Sequence, residues 1–334
     1  MPRDSLRNWN AIASSAEGSK LVAAVSGPGG LLYTSTDYGA SWTPRESVRN
    51  WQSVASSSDG SKLVAGVYFG QLYTSTDSGI TWTPRDSVRQ WTAVASSSDG
   101  SKLVAAEGGG GFLYTSIDFG VTWTWRAASG GRLWQSVASS SDGSKLVAVA
   151  YNDNLFTSSD SGVTWTARDS FRYWRAVASS ADGSKLVAAA EGAGGQLFTS
   201  TNSGASWTPR ESSRNWVSLA SSADGSRLVA AAGSAQIYTS SDFGVGWTAR
   251  ETSRQWAAVA SSADGIRVVA AVTGIGPGGG LLYTSVPAVN TFSASTAVGV
   301  TGYLTGLQRS AIELQYIGSG QFMPLSYVGT IGSY

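Results

Sequence analysis

The chain of 334 residues has no cysteine, no histidine and only two methionines, and just 13% of it is charged. Each shortage excludes a chemistry. Without cysteine there is no disulfide framework and no thiol nucleophile. Without cysteine and histidine together there is no zinc finger and no histidine-based triad. The charge nearly balances at +1, so the totals do not draw the chain toward nucleic acid or a membrane surface. No apolar run reaches the roughly 18 residues that a membrane span needs, and Met1 to Asp4 lacks the apolar core of a signal peptide. The expectation is therefore no metal, no cofactor, no nucleic-acid partner and no membrane insertion.

What the chain does have is glycine, tryptophan and repetition: 41 Gly and 14 Trp. The pattern Arg-x-Trp recurs with its tryptophan at Trp9, Trp51, Trp91, Trp134, Trp174, Trp216 and Trp256, at spacings of 42, 40, 43, 40, 42 and 40 residues. Each repeat holds four short β-prone stretches, in the second copy WQSVAS, KLVAGV, QLYTS and TWTPR, separated by Ser/Asp/Gly turn clusters. Four strands per unit, repeated around a ring, is the pattern of a propeller. Residues Pro2 to Arg7 match the end of a repeat, Pro84 to Arg89, while the seventh copy stops after Ser285 without a fourth strand. The N-terminal segment can supply that strand and cover the open edge. The expected fold is all-β: a seven-bladed β-propeller over residues 1–287, closed by an N-terminal strand, followed by a small C-terminal β-hairpin extension over 288–334.

Spacing also separates two faces. The first-to-second and third-to-fourth strand connections keep constant length, as from Trp9 to Leu21 and from Tyr33 to Trp42. The second-to-third connection varies: 10 residues from Leu63 to Tyr73, 12 from Leu21 to Tyr33 and 15 from Val268 to Tyr283. Successive turns of an antiparallel blade alternate between its ends, so the variable loops share one face. They carry the residues that differ between copies: Tyr68, Phe69, Glu107, Tyr151, Asn152, Asp153, Asn154 and Glu191. Variable loops on a rigid scaffold are where binding usually resides.

Six copies carry Ser-x-Asp-x-Gly-x-x-Trp between the third and fourth strands, with Asp37, Asp77, Asp118, Asp160 and Asp242, and Asn202 in the fifth copy. The carboxylate can accept turn amides, glycine permits positive φ, and tryptophan anchors the hairpin. This motif resembles the Asp-box, or BNR, repeat of sialidases, sortilin-type receptors and photosystem II assembly factors. In that family the box is a structural turn away from the active site, so the resemblance implies fold and not activity. A sialidase would bring six blades, an Arg-Ile-Pro motif and an arginine triad. Here no Arg-Ile-Pro occurs, and the non-repeated acids are only Glu107, Asp153, Glu191 and Glu313. No catalytic residue is expected.

The fourth-to-first connection reads Arg-Asp/Glu-Ser/Thr-x-Arg-x-Trp. Its second arginine is Arg7, Arg49, Arg89, Arg132, Arg172, Arg214 and Arg254. These guanidinium groups could form a ring of bidentate donors for an anionic glycan, with the adjoining tryptophans Trp9 through Trp256 stacking sugar rings. The plainer reading pairs each arginine with a neighbouring acid and packs each tryptophan between blades. Residues 288–334 contain one Arg and one Glu and read as a hairpin around Gly318 to Gly320. That hairpin could dock on the propeller or engage a protein partner or further copies of the chain. The leading expectation is a non-enzymatic, multivalent carbohydrate-binding module. An assembly scaffold using the C-terminal hairpin comes second, and a glycosidase using the unique acids third. A composition rich in Ser, Thr and Gly is compatible with an extracellular or cell-surface bacterial protein.

Overall fold

The computed structural model describes residues 2–27, 29–192, 195–211, 213–274, 280–285, 291–294, 311–318, 321–328 and 330–333. Two compact units divide the chain, Met1–Ser285 and Val286–Tyr334. In the second, Ala311–Gly318 and Gln321–Val328 pair as an antiparallel hairpin, and Thr291–Ala294 pairs in parallel with Thr330–Ser333.

The first unit is an all-β propeller. Strands form where small and β-branched residues alternate with hydroxyl residues, and they stop at Ser-Asp-Gly turns. The alternation has a direct packing consequence. In Leu21–Val25, Leu21, Ala23 and Val25 pack with the last repeat, while Val22 and Ala24 face the second repeat. All seven core clusters are built this way, each from two consecutive repeats. The innermost strands touch in a closed circuit from Trp9–Ser14 around to Thr248–Ser261 and back. A chain of backbone hydrogen bonds follows the same circuit. The amides of Ala16, Ser58, Ser98, Ser141, Ala181 and Ala223 each donate to the carbonyl of the following repeat, and Ala263 donates to Ala16 at 2.7 Å.

The expectation of seven blades is corrected by the strand pairing. Counted as continuous hydrogen-bonded sheets, the propeller has four blades: one of four strands and three of six. The first repeat stands alone, whereas the second and third, fourth and fifth, and sixth and seventh are fused. Fusion occurs because strands run on where a break was expected, as in Leu63–Ser75 and Thr83–Ser96. The second-to-third connection is shortest in the second, fourth and sixth repeats. There Phe69, Asn152 and Ser234 take positive φ of 55°, 53° and 60°, and Gly70 lies against Val67 where a Cβ would collide. These reversals are tight enough to keep the ladder unbroken through β-bulges. The fourth strand of the same repeats then continues into the next, as in Thr166–Ser179 and Thr248–Ser261. The repeat spacing shows the same alternation, 42 or 43 residues after odd copies and 40 after even ones. Pro2–Arg7 pairs antiparallel with Gly280–Thr284 and covers the outer edge of the last sheet.

The loop tryptophans lie at the centre of this packing. Trp9, Trp51, Trp91, Trp134, Trp174 and Trp216 are 0% exposed and Trp256 is 2% exposed. Each meets the third-strand aromatic of its own repeat edge-on, as Trp134 meets Phe156 with centroids 5.4 Å apart. Their indole N–H groups find no acceptor among the described residues, which costs about 1–3 kcal/mol each. Burying a ring of this size returns about 4–6 kcal/mol, so burial prevails. Trp134→Ala is expected to lower the unfolding free energy by about 3–5 kcal/mol in urea denaturation. A loss under about 1 kcal/mol would mean that this junction is not packed as described.

Candidate functional site

The two ends of the propeller are built differently. At one end the constant hairpins meet: the amides of Tyr38, Ser78, Phe119, Ser161, Ser203 and Phe243 donate to Ser19, Ser61, Ser101, Ser144, Ser184 and Ser226 of the first-to-second turn. At the other end the second-to-third loops bond the fourth-to-first loops, as Tyr68 N–H does to Asn50 C=O and Gly108 N–H to Gln90 C=O. The variable loops thus share one face.

At the constant end, aspartates are turn residues. Asp77 accepts the Thr81 amide at 2.9 Å and its hydroxyl at 2.6 Å, while the Ser75 hydroxyl donates to it at 2.8 Å. Gly79 takes a φ of 83°, donates its amide to Ser75 Oγ and accepts the Trp82 indole N–H at 3.0 Å. The same turn recurs at Asp37, Asp118, Asp160 and Asp242. In the fifth copy Asn202 keeps the amide contact through its carbonyl and donates its own N–H to Ser206. Burial pushes the Asp37, Asp77, Asp118 and Asp160 carboxyls up, but the turn hydrogen bonds outweigh it and hold them below the ordinary value. In the first-to-second turns the bonds prevail more strongly. Hydroxyl bonds from Ser57, Ser97, Ser140, Ser180 and Ser222, followed by contacts from the next serine, hold Asp59, Asp99, Asp142, Asp182 and Asp224 low, Asp99 and Asp224 at about 2.

At the variable end, the arginines proposed from sequence are engaged by the fold. The guanidinium carbons of Arg7, Arg49, Arg89, Arg132, Arg172, Arg214 and Arg254 lie 4.1–4.7 Å from the ring of the third-strand aromatic in their repeats. Arg49, Arg172 and Arg214 also pair with the acid three residues earlier. Arg89 pairs with Asp86 at 3.8 Å and Glu107 at 3.7 Å, and Arg132 with Asp153 at 2.9 Å. The other loop arginine clamps the third strand, as Arg85 Nε donates to Thr74 Oγ1 at 2.9 Å. The structure therefore does not gather the arginine–tryptophan pairs into open sites. The guanidinium groups lie over aromatic rings, and the buried tryptophans expose no face on which a sugar could stack.

It gathers a different set. Across the fused second and third repeats lies an open cleft of about 770 Å³, lined by Phe69, Val88, Arg89, Glu107, Phe112 and Trp125 and by the backbone of Gly108 to Gly111. Phe69 is 63%, Val88 67% and Trp125 55% exposed. Trp125 stands edge-on to Phe112 at 5.2 Å, which props its ring at the rim. Below, the Tyr114 hydroxyl donates to Glu107 at 3.2 Å, and burial with the Glu107 charge pushes that phenol up to about 12. Gly111 is required where it is, since a Cβ there would collide with Glu107. Phe69 and Glu107 were legible as loop residues that differ between copies. Trp125 was missed, although it interrupts a pattern of Pro44, Pro84, Ala167, Pro209 and Ala249. Among the described residues no group of three or more acids could hold a metal, and no helix is long and apolar enough to cross a membrane.

No protein-family model matches the chain, and no curated protein matches it. Solved structures do. YCF48 from Cyanidioschyzon merolae aligns at a TM-score of 0.63 and 16% identity, over 84% of this chain and 96% of that one. A structure of YCF48 bound to D1 peptide aligns at 0.63 and 15%, over 84% and 94%. The GH74 enzyme of Niastella koreensis aligns at 0.53 and 16%, over 84% and 66%. The chain is a β-propeller. Identities this low establish its fold alone.

The depressed aspartates give this propeller an acid limit. A carboxyl whose folded pKa lies below its unfolded value contributes stability above the unfolded value and loses it as pH falls through the folded one. The unfolding free energy is expected to stay level from pH 7 to about 5, then to fall from about pH 4, the ordinary aspartate value, toward about 2, where Asp99 and Asp224 titrate. Denaturant titrations at pH 6, 4, 3 and 2.5 measure this, and Asp99→Asn with Asp224→Asn should flatten the slope.

Proposed function

We propose that the chain is a non-enzymatic binding module that holds a protein or peptide segment in the cleft between its second and third repeats. The observation that carries this is the exposure of Phe69, Val88 and Trp125 around one open cleft. Exposed aromatic anchors around a concave surface are what binding sites are made of. A peptide-bound neighbour with the same fold supports a protein partner. The Ser-x-Asp-x-Gly-x-x-Trp turns support kinship with Asp-box propellers.

The non-enzymatic part rests on the acids. Glu107, Asp153 and Glu191 are each engaged by an arginine, Arg89, Arg132 and Arg175. Glycoside hydrolysis needs two cooperating carboxyl groups, one of them protonated. Glu313 lies in the paired strand Ala311–Gly318, and the side chains of that hairpin, Glu313 included, lie outside what the structure describes. A second reading keeps carbohydrate as the ligand of the same cleft, favoured by the exposed indole of Trp125. It replaces a ring of seven equivalent sites with one.

Peptide and glycan arrays probed with the full chain and with Phe69→Ala/Trp125→Ala test both readings. The double variant should bind its peptide hits at least ~30-fold more weakly, about 2 kcal/mol, with stability changed by no more than about 0.5 kcal/mol per site. Hits on glycans alone, lost in the variant, would favour the second reading. Hits that survive the double substitution would remove the cleft from consideration.

A further inference from the structure

At the constant end, the residue after the turn aspartate or asparagine is Tyr38, Ser78, Phe119, Ser161, Ser203 and Phe243 in the first six repeats. At Tyr38, Ser78, Phe119, Ser203 and Phe243 it sits beside a basic residue of the preceding repeat. Where it is aromatic, the cation lies over the ring. Lys62 Nζ is 4.9 Å from the Phe119 centroid, Lys185 Nζ 4.0 Å from that of Phe243, and the Arg267 guanidinium carbon 4.1 Å from that of Tyr38. The grooves around Phe243 and Tyr38 are then nearly full, with about 10 and 20 Å³ left.

In the fifth repeat the position is Ser203, and the groove between the fourth and fifth repeats opens to about 230 Å³. Its walls repeat those of the filled groove: Lys145, Leu146, Thr157 and Leu186 stand where Lys185, Leu186, Thr199 and Leu228 stand around Phe243. The cation is already placed. Lys145 Nζ donates to the Asp182 carbonyl at 3.0 Å and Ser203 Oγ at 3.3 Å, just as Lys185 Nζ donates to Asp224 at 2.8 Å. The space is ample for one ring, since an apolar cavity of about 150 Å³ accepts benzene.

We propose that this groove is a binding site for an aromatic side chain, phenylalanine or tyrosine, presented by a partner polypeptide. The incoming ring takes the place that Phe243 and Tyr38 fill from within the chain, with its face toward Lys145 and its edge against Leu146 and Leu186. The chain's own rings show what fits. The exposed Ser159 and Thr166 also line the groove, and their hydroxyls can meet a phenolic oxygen. This site lies at the constant end, away from the variable-face cleft, and does not depend on that cleft's ligand.

The test is methyl NMR of the full chain with Leu146 and Leu186 assigned, titrated with N-acetyl-tyrosinamide. Saturable shifts of both methyl sets are expected. Ser203→Phe should abolish them while keeping the melting temperature at or above the wild-type value, which shows that the inserted ring is accommodated. Lys145→Met should weaken binding about two- to fivefold, the range of an exposed cation–π contact. Absence of shifts in the wild type, or shifts that persist in a folded Ser203→Phe, would overturn the proposal. So would methyl glucoside shifting these methyls where the tyrosinamide does not. Should Ser203→Phe fail to fold, Ser203→Leu blocks the same space and gives the same decision.

Discussion

Everything in the propeller depends on closure of the ring. The hydrogen bond from Ala263 to Ala16 completes a circuit in which every repeat donates to the next, and Pro2–Arg7 seals the last sheet against Gly280–Thr284. No repeat owns a core. Each cluster is shared by two neighbours, so a repeat taken alone would leave both faces of its strands in water. Closure lets the first repeat serve as neighbour to the last, and it places all constant hairpins at one end and all variable loops at the other.

Repetition and singularity then divide the work. Residues that occur in every copy meet the same surroundings in every copy: tryptophans packed between neighbouring repeats, arginines over aromatic rings, aspartates inside turns. The exposed ring and the open groove occur at positions where the repeats differ. Trp125 replaces a proline or alanine and leaves its indole in solvent. Ser203 stands where three other repeats carry a ring, and the groove beside it is open. Both features come from positions at which the repeats carry different side chains.

Much of this architecture was legible in the chain. Spacing located the strands, assigned loops to faces and matched Pro2 to Arg7 to a missing strand, because hairpin lengths are set locally by turn geometry. The count of blades was not legible. Whether one repeat's ladder continues into the next depends on backbone angles at Phe69, Asn152 and Ser234 and on bulges that no residue type announces. The alternation of 42 or 43 with 40 residues was the one trace of it. For the site, Phe69 and Glu107 were visible as loop residues that vary, but the arginine and tryptophan ring was not separable into buried and exposed groups. An Arg-x-Trp pair looks alike whether it lies on a surface or beneath one.

By itself, then, the sequence determined a closed all-β ring of repeated four-stranded units, because hydrophobic alternation and turn chemistry act over a few neighbouring residues. Tertiary structure alone decided how those units join into sheets, which aromatic rings face water and where two loops enclose a cleft. These outcomes depend on bringing together residues that are distant along the chain, such as Phe69 and Trp125 around one cleft and Lys145 with Ser203 across one groove. Such juxtapositions exist only once the ring has closed.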